Sequence, residues 1–170
     1  RDEYNEKKRS KDPGDKNYLL IPEGGSGEAG VRGASTIIDQ FTGKNYTHIV
    51  CAAGTGTMAA GLLRGLNQEQ ELVVIPVLKG YAALEAEIRK MAGESSALLS
   101  VHHDFHFGGY AKATPALFDH MNAFYSRTGI PTDFVYTGKL FFALEQLLRD
   151  GHFPAGSRIL AIHSGGSQGN

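Results

Sequence analysis

Cysteine occurs once, as Cys51, so no disulfide can close within the chain, and the composition suits a reducing, cytoplasmic compartment. Tryptophan is absent. Neither sign of charge dominates: 17 Lys and Arg stand against 18 Asp and Glu, a formal net charge of −1. Such a balance gives no overall field toward nucleic acid or a membrane surface, and neither is expected as a partner. No apolar run approaches the roughly 20 residues of a membrane-spanning helix, and no signal-peptide pattern is present. An initiating methionine is lacking too. Arg1 opens the chain, which points to processing or to a piece of a longer polypeptide. What remains is 170 residues, enough for one domain with a real core, and a high count of 22 glycines.

Residues 1–17 are dense in charge and read as a solvated lead-in; residues 18–170 read as the domain. Apolar, β-branched-rich runs recur at 18–22, 47–53, 71–78, 97–103, 133–137 and 158–164. Most are continuous rather than alternating, as strands covered on both faces are. Helix-period segments lie between most of them, at 33–41, 57–66, 82–92, 114–129 and 139–151. The third puts Leu84, Ile88 and Met91 on one face, and the fourth opens on Thr114-Pro115 and ends in Gly129. Strands alternating with helices of this length predict an α/β fold: a mostly parallel, twisted sheet with helices on both faces.

In such sheets ligands sit at the carboxyl ends of the strands, and the unusual chemistry falls there. The stretch CAAGTGTMAAGLL, residues 51–63, follows an apolar strand with alternating glycine and threonine and then starts a helix. Gly54 and Gly56 permit a sharp turn and close approach of a ligand. Thr55, Thr57 and the free N–H groups of the following helix supply donors that suit a phosphate. An ordinary glycine-rich strand-to-helix turn is the plainer alternative. A non-catalytic Rossmann-like module for a phosphorylated sugar or nucleotide, carrying a dinucleotide fingerprint, is the third. That fingerprint would put Ala59 at the last glycine position, and Glu69 and Glu71 follow too closely to serve as its acidic residue.

Tyr136, at the end of an expected strand, and Tyr110, after paired glycines, each read as a proton-transfer or carboxylate-binding phenol, or as a half-buried aromatic. Ser164, past the last strand, can bond a ligand heteroatom or cap local backbone. His102, Asp104 and His106 match the ligand spacing of a strand, but no partner segment is evident and no metal is expected. Lys139 stands nearest the presumed crevice; Lys44, Lys79, Lys90 and Lys112 read as solvated.

The order IPEGGS, CAAGTGTMAAGLL, GGYAK, VYTGK and IHSGGSQG resembles the carboxyl-terminal half of one enzyme family. That family comprises 1-aminocyclopropane-1-carboxylate deaminase and D-cysteine desulfhydrase, pyridoxal-phosphate enzymes of the tryptophan-synthase-β fold type. The resemblance covers nearly all of residues 16–170. It implies pyridoxal 5'-phosphate as cofactor, with Ala53, Gly54, Thr55, Gly56 and Thr57 cradling its phosphate. It places Tyr110 and Tyr136 on the substrate side of the ring as catalytic residues and Ser164 facing the ring nitrogen.

Deaminases of the family carry Glu where this chain has Thr137, counted here among the cofactor-side residues, and Leu where it has Ser164. A hydroxyl cannot hold the ring nitrogen protonated as a carboxylate does. The resemblance therefore leans toward D-cysteine desulfhydrase-like β-elimination on a small amino acid. The family's Schiff-base lysine, in Lys-x-Arg-Asn, and its Ser-Asn-His segment do not occur here, and Lys139 matches a different position. The expectation is a carboxyl-terminal fragment, inert by itself, with uncovered apolar surface that favours a homodimer.

Overall fold

The computed structural model describes residues 21–41 and 44–166. The charged lead-in, most of the expected strand over 18–22, and residues 167–170 lie outside the described residues. Ile21 and Pro22 lead into one turn of 3-10 helix, Glu23–Gly25.

Four strands, β1 (His48–Ala53), β2 (Glu71–Pro76), β3 (Leu98–Val101) and β4 (Ile159–Ala161), form one sheet in the order β3-β2-β1-β4. All three pairings are parallel, with His48 opposite Glu71 and Ile159, and Glu71 opposite Leu98. Five α-helices connect them: α1 (Glu28–Asp39), α2 (Thr57–Gly65), α3 (Leu84–Ala92), α4 (Pro115–Thr128) and α5 (Thr137–Arg149). None of the described helices is long and apolar enough to cross a membrane.

The continuous apolar character of β1 and β2 has its reason in the packing. Ile49, Cys51, Leu72 and Val74 face α1, α2 and α3 through Val31, Leu62, Leu63, Leu84 and Ile88. The alternate residues Val50, Ala52, Val73 and Ile75 face Leu140, Ala143 and Leu147 of α5. Because successive side chains point to opposite faces, only a strand apolar at every position can fill both layers. The edges are less covered: Leu98 on β3 is 63% exposed, and Phe118, Tyr125 and Ile130 on or just after α4 also reach solvent.

Two expectations need correction. Residues 133–137 are not a strand; they turn and start α5, with Tyr136 as the residue before its first turn. The cause is local. The Asp133 carboxylate accepts the N–H groups of Val135, Tyr136 and Thr137, which a sheet ladder would otherwise need. Helix α1 also begins five residues before the expected start at 33, because Gly24, Gly25 and Gly27 all take positive φ and turn the chain early.

Helices α1 and α2 cross closely at Gly61. A Cβ there would lie 2.5 Å from the Val31 carbonyl oxygen and 2.5 Å from the Ala34 methyl. Gly61→Ala is therefore expected to destabilise the fold by about 1–3 kcal/mol, despite alanine's better helix propensity. Gly33→Ala, where a Cβ meets open space on the exposed side of α1, should be neutral or stabilise by up to about 1 kcal/mol. Urea unfolding of both variants checks this; equal effects would show that the crossing tolerates a methyl group.

Candidate active site

Chain direction across the sheet reverses beside β1: β2 and β3 are laid down on one side of it, β4 on the other. The loops after β1 and β4 thus diverge and leave a crevice at the carboxyl ends. A cleft of about 1060 Å³ lies there, lined in part by Gly24, Ala53–Thr57, Lys79, Tyr110, Tyr136 and Ser164. A smaller hollow near Tyr46, Leu66 and Gln70 sits at the opposite ends of the strands, away from the glycine-rich loops.

The loop after β1 is shaped by what it cannot accommodate. Gly56 holds φ +84° as the residue before α2, and no side chain caps that helix. Its first amides are therefore free of intrahelical partners at the wall of the cleft. The Thr55 and Thr57 hydroxyls lie 3.1 Å apart. Gly24, at φ +65°, closes over them so tightly that a Cβ would stand 2.2 Å from Thr55 Oγ1. A Cβ on Gly54 would stand 3.0 Å from the Tyr136 phenol oxygen. Backbone N–H groups and two hydroxyls meeting in a space that glycines keep open fit a phosphate group. The cofactor implied by the resemblance is consistent with these residues.

Tyr136 and Tyr110 meet edge to face, ring centroids 6.0 Å apart. Burial, and then the neighbouring Tyr110, push the Tyr136 phenol up to about 12, so it stays protonated and donates a hydrogen bond at neutral pH. Tyr110 is 55% exposed at the cleft mouth.

Beneath Tyr136 lies a carboxylate that the sequence reading passed over. Asp133 Oδ1 accepts from Val135 N at 2.8 Å and Tyr136 N at 2.7 Å; Oδ2 accepts from Thr137 N at 3.0 Å and Thr137 Oγ1 at 2.6 Å. Burial by itself would raise this carboxyl, but the hydrogen bonds outweigh it and hold the group below its usual range. Thr137 is fully buried, and its hydroxyl also accepts the Asp133 N–H at 2.8 Å. That hydroxyl faces Asp133 and not the cleft. Gly166 rests on the same carboxylate, since a Cβ on it would come within 2.7 Å of Oδ2. His163 ties the loop down: its Nε2 lies 2.8 Å from the Pro131 carbonyl, and its Nδ1 accepts Gly165 N–H at 3.2 Å. These partners assign the proton to Nε2. Ser164, between them, is exposed in the cleft wall.

The structure thus gathers Ala53, Gly54, Thr55, Gly56, Thr57, Tyr110, Tyr136 and Ser164 around one cleft, and sets Thr137 behind its wall. Lys139 does not line it. Lys79, read from sequence as solvated, does; its place just after β2, at a strand's carboxyl end, was the available signal. The histidine segment is no strand: β3 stops at Val101, His102 packs edge-on against His152 at 4.7 Å, and His106 Nδ1 accepts the Gly108 N–H. Among the described residues no three His, Cys, Asp or Glu are placed to hold a metal.

A parallel α/β domain with a phosphate-type cradle at its switch point is the class these features define. The family model described as pyridoxal-phosphate dependent enzyme matches residues 2–165, and the chain belongs to that family. It is 33% identical over 163 residues to the putative 1-aminocyclopropane-1-carboxylate deaminase of Pyrococcus horikoshii, covering 88% of this chain and 50% of that protein. It is 26% identical to the 1-aminocyclopropane-1-carboxylate deaminase of Cyberlindnera saturnus, over 85% of this chain and 46% of that one. A crystal structure of an ACC deaminase homologue superposes with a TM-score of 0.74 at 32% identity, covering 88% of this chain and 49% of that chain. The fold is that of fold-type II pyridoxal-phosphate enzymes. The chain spans about half the length of the relatives it matches.

Asp133→Asn puts an amide N–H₂ group where Thr137 presents donors, so the variant should lose about 2 kcal/mol of stability. The sign with pH follows from the lowered carboxyl. Its stabilisation is complete above the unfolded value near 3.8 and disappears as pH falls through the lower folded value. Unfolding measured from pH 7 down to pH 2 should show an acid-side loss that the Asn variant lacks; parallel curves would mean that Asp133 does not carry it.

Proposed function

We propose that this chain is the cofactor-phosphate-binding part of a pyridoxal-phosphate-dependent enzyme that releases ammonium from a small amino acid, in line with its deaminase-named relatives. One observation carries the reading: the uncapped start of α2, with Gly54, Thr55, Gly56 and Thr57, presents donors in a space where side chains would clash. These residues and Ala53 hold the cofactor phosphate. Bound pyridoxal phosphate supplies the electron sink for the substrate's reacting carbon.

This chain's own residues do the rest. Tyr136, protonated at neutral pH, holds a proton at its phenol oxygen against Gly54, where it donates to the substrate. Tyr110 limits solvent at the mouth. Lys79 is the one Lys or Arg among the described residues that line the cleft, and it offers charge to a carboxylate. Ser164 offers a hydroxyl toward the ring.

A second reading, β-elimination from D-cysteine or a similar β-substituted amino acid, is favoured by one specific feature. Thr137 and Ser164 stand where the family's deaminases have Glu and Leu, and the Thr137 hydroxyl is committed to Asp133. A Ser or Thr hydroxyl cannot hold the ring nitrogen protonated as the deaminases' Glu would, which suits a substrate with a good leaving group.

The test is the purified full-length protein that contains this chain, assayed for ammonium release from 1-aminocyclopropane-1-carboxylate and from D-cysteine. A higher kcat/KM on the cyclopropane supports the first reading, and a higher value on D-cysteine the second. No cofactor on the protein and no ammonium from either would overturn both. Gly54→Val, pressing on Tyr136, should weaken pyridoxal phosphate retention about tenfold or more by equilibrium dialysis, roughly the effect of 1.4 kcal/mol. Tyr136→Phe should keep the cofactor and lower kcat by about 10²–10⁴-fold.

A further inference from the structure

Among the buried charged side chains Lys139 is the extreme case, 0% exposed on the first turn of α5. An ammonium in such a place is costly unless its protons are taken. Two are: Nζ donates to the Gly109 carbonyl at 2.7 Å and to the His106 carbonyl at 2.9 Å. Burial pushes the group down to about 8 against the pull of Asp133, so it is charged at neutral pH. Nothing in the cleft chemistry uses it.

The carbonyls it holds belong to a segment that needs holding. Phe107 and Ala111 both take φ +51°, Gly108 takes +97° and Gly109 +123°. Left-handed backbone at a non-glycine residue is strained and persists only where the surroundings impose it. Local bonds in the turn are few: Gly108 N–H to His106 Nδ1, Gly109 N–H to the His106 carbonyl and Lys112 N–H to the Gly109 carbonyl. Tyr110 sits inside this segment, more than half exposed, with the Tyr136 ring against it.

We propose that Lys139 is a positioning residue for Tyr110: its ammonium clamps the 106–111 turn onto the start of α5 and thereby fixes the Tyr110 ring beside Tyr136. One helix start carries both halves of the arrangement, Tyr136 and, three residues on, the clamp that brings its partner phenol into register. The role of Tyr110 toward substrate rests on the functional reading above; the clamp does not.

The experiment separates the two. The full-length protein is labelled with 3-fluorotyrosine, and the Tyr110 resonance is assigned by its loss in Tyr110→Phe. In Lys139→Met, which leaves both carbonyls without the donor, the Tyr110 signal should shift and broaden while those of Tyr46 and Tyr125 stay in place. Lys139→Gln, whose shorter amide reaches at most one carbonyl, should give a smaller shift in the same direction. An unmoved Tyr110 resonance in a folded variant overturns the proposal, and if the Met variant does not fold, the Gln variant decides by the same criterion. In turnover, Lys139→Met should lower kcat about tenfold to a hundredfold with little change in KM, as expected when a reacting group is misplaced by about an ångström. In a Tyr110→Phe background it should cause no further loss; losses that multiply would mean Lys139 acts elsewhere. Absence of turnover on any amino acid would count against the functional reading, and the resonance would still decide the clamp.

Discussion

The Asp133 carboxylate is the constraint on which this wall of the cleft depends. It takes the amides of Val135, Tyr136 and Thr137 together with the Thr137 hydroxyl, and its Oδ2 lies where a side chain on Gly166 would have to go. A single buried anion thus starts α5, aims Tyr136 at the turn after β1, and seats the loop that carries Ser164. Charge makes the arrangement strong, since hydrogen bonds to an ionised acceptor in a low-dielectric setting are worth more than neutral ones. The four bonds offset the cost of burying the charge, which is why the carboxyl remains ionised.

Around that anchor, the sheet decides where chemistry can occur. The loops after β1 and β4 part at the place where strand order reverses, and glycine backbone occupies both sides of the gap. Gly54 and Gly24 are required there for space: side chains would meet the Tyr136 phenol and the Thr55 hydroxyl. The same absence of side chains leaves amides free at the start of α2. Free amides of this kind suit an anion at this end of the sheet. Tyr136, in turn, is kept neutral by burial, which makes it a donor and a holder of a proton.

Lys139 and Asp133 form a second layer behind this wall, one positive and one negative, both nearly inaccessible to solvent. Neither lines the cleft; each fixes backbone that does. Thr137 belongs to this second layer, bonded to Asp133, whereas Ser164 is exposed in the cleft wall. Membership of the pyridoxal-phosphate family and likeness to an ACC deaminase homologue cover the same half of the parent fold that this layer occupies.

Much of this was legible in the residues. The unbroken apolar runs of β1 and β2 announced strands buried on both faces, Pro115 and Gly129 marked the ends of α4, and alternating Gly and Thr after β1 marked the turn at the cleft. These are local signals, carried by neighbours in sequence. Residues 133–137 misled because Val, Tyr and Thr favour strands, and only the Asp133 side chain, turned back on its own amides, overrides that preference. Lys79 could have been placed at the cleft from its position just after β2, but the contacts of Lys139 were beyond reach for a different reason. Lys139 lies 30 residues in sequence from the Gly109 carbonyl it binds, and no periodicity records a hydrogen bond between such distant segments. The sequence by itself determined the layers and the place of the glycine-rich turn at the cleft, since both follow from period and backbone freedom. Only the tertiary structure decided which charges are buried and what they hold, because that depends on which donors the packed elements leave without water.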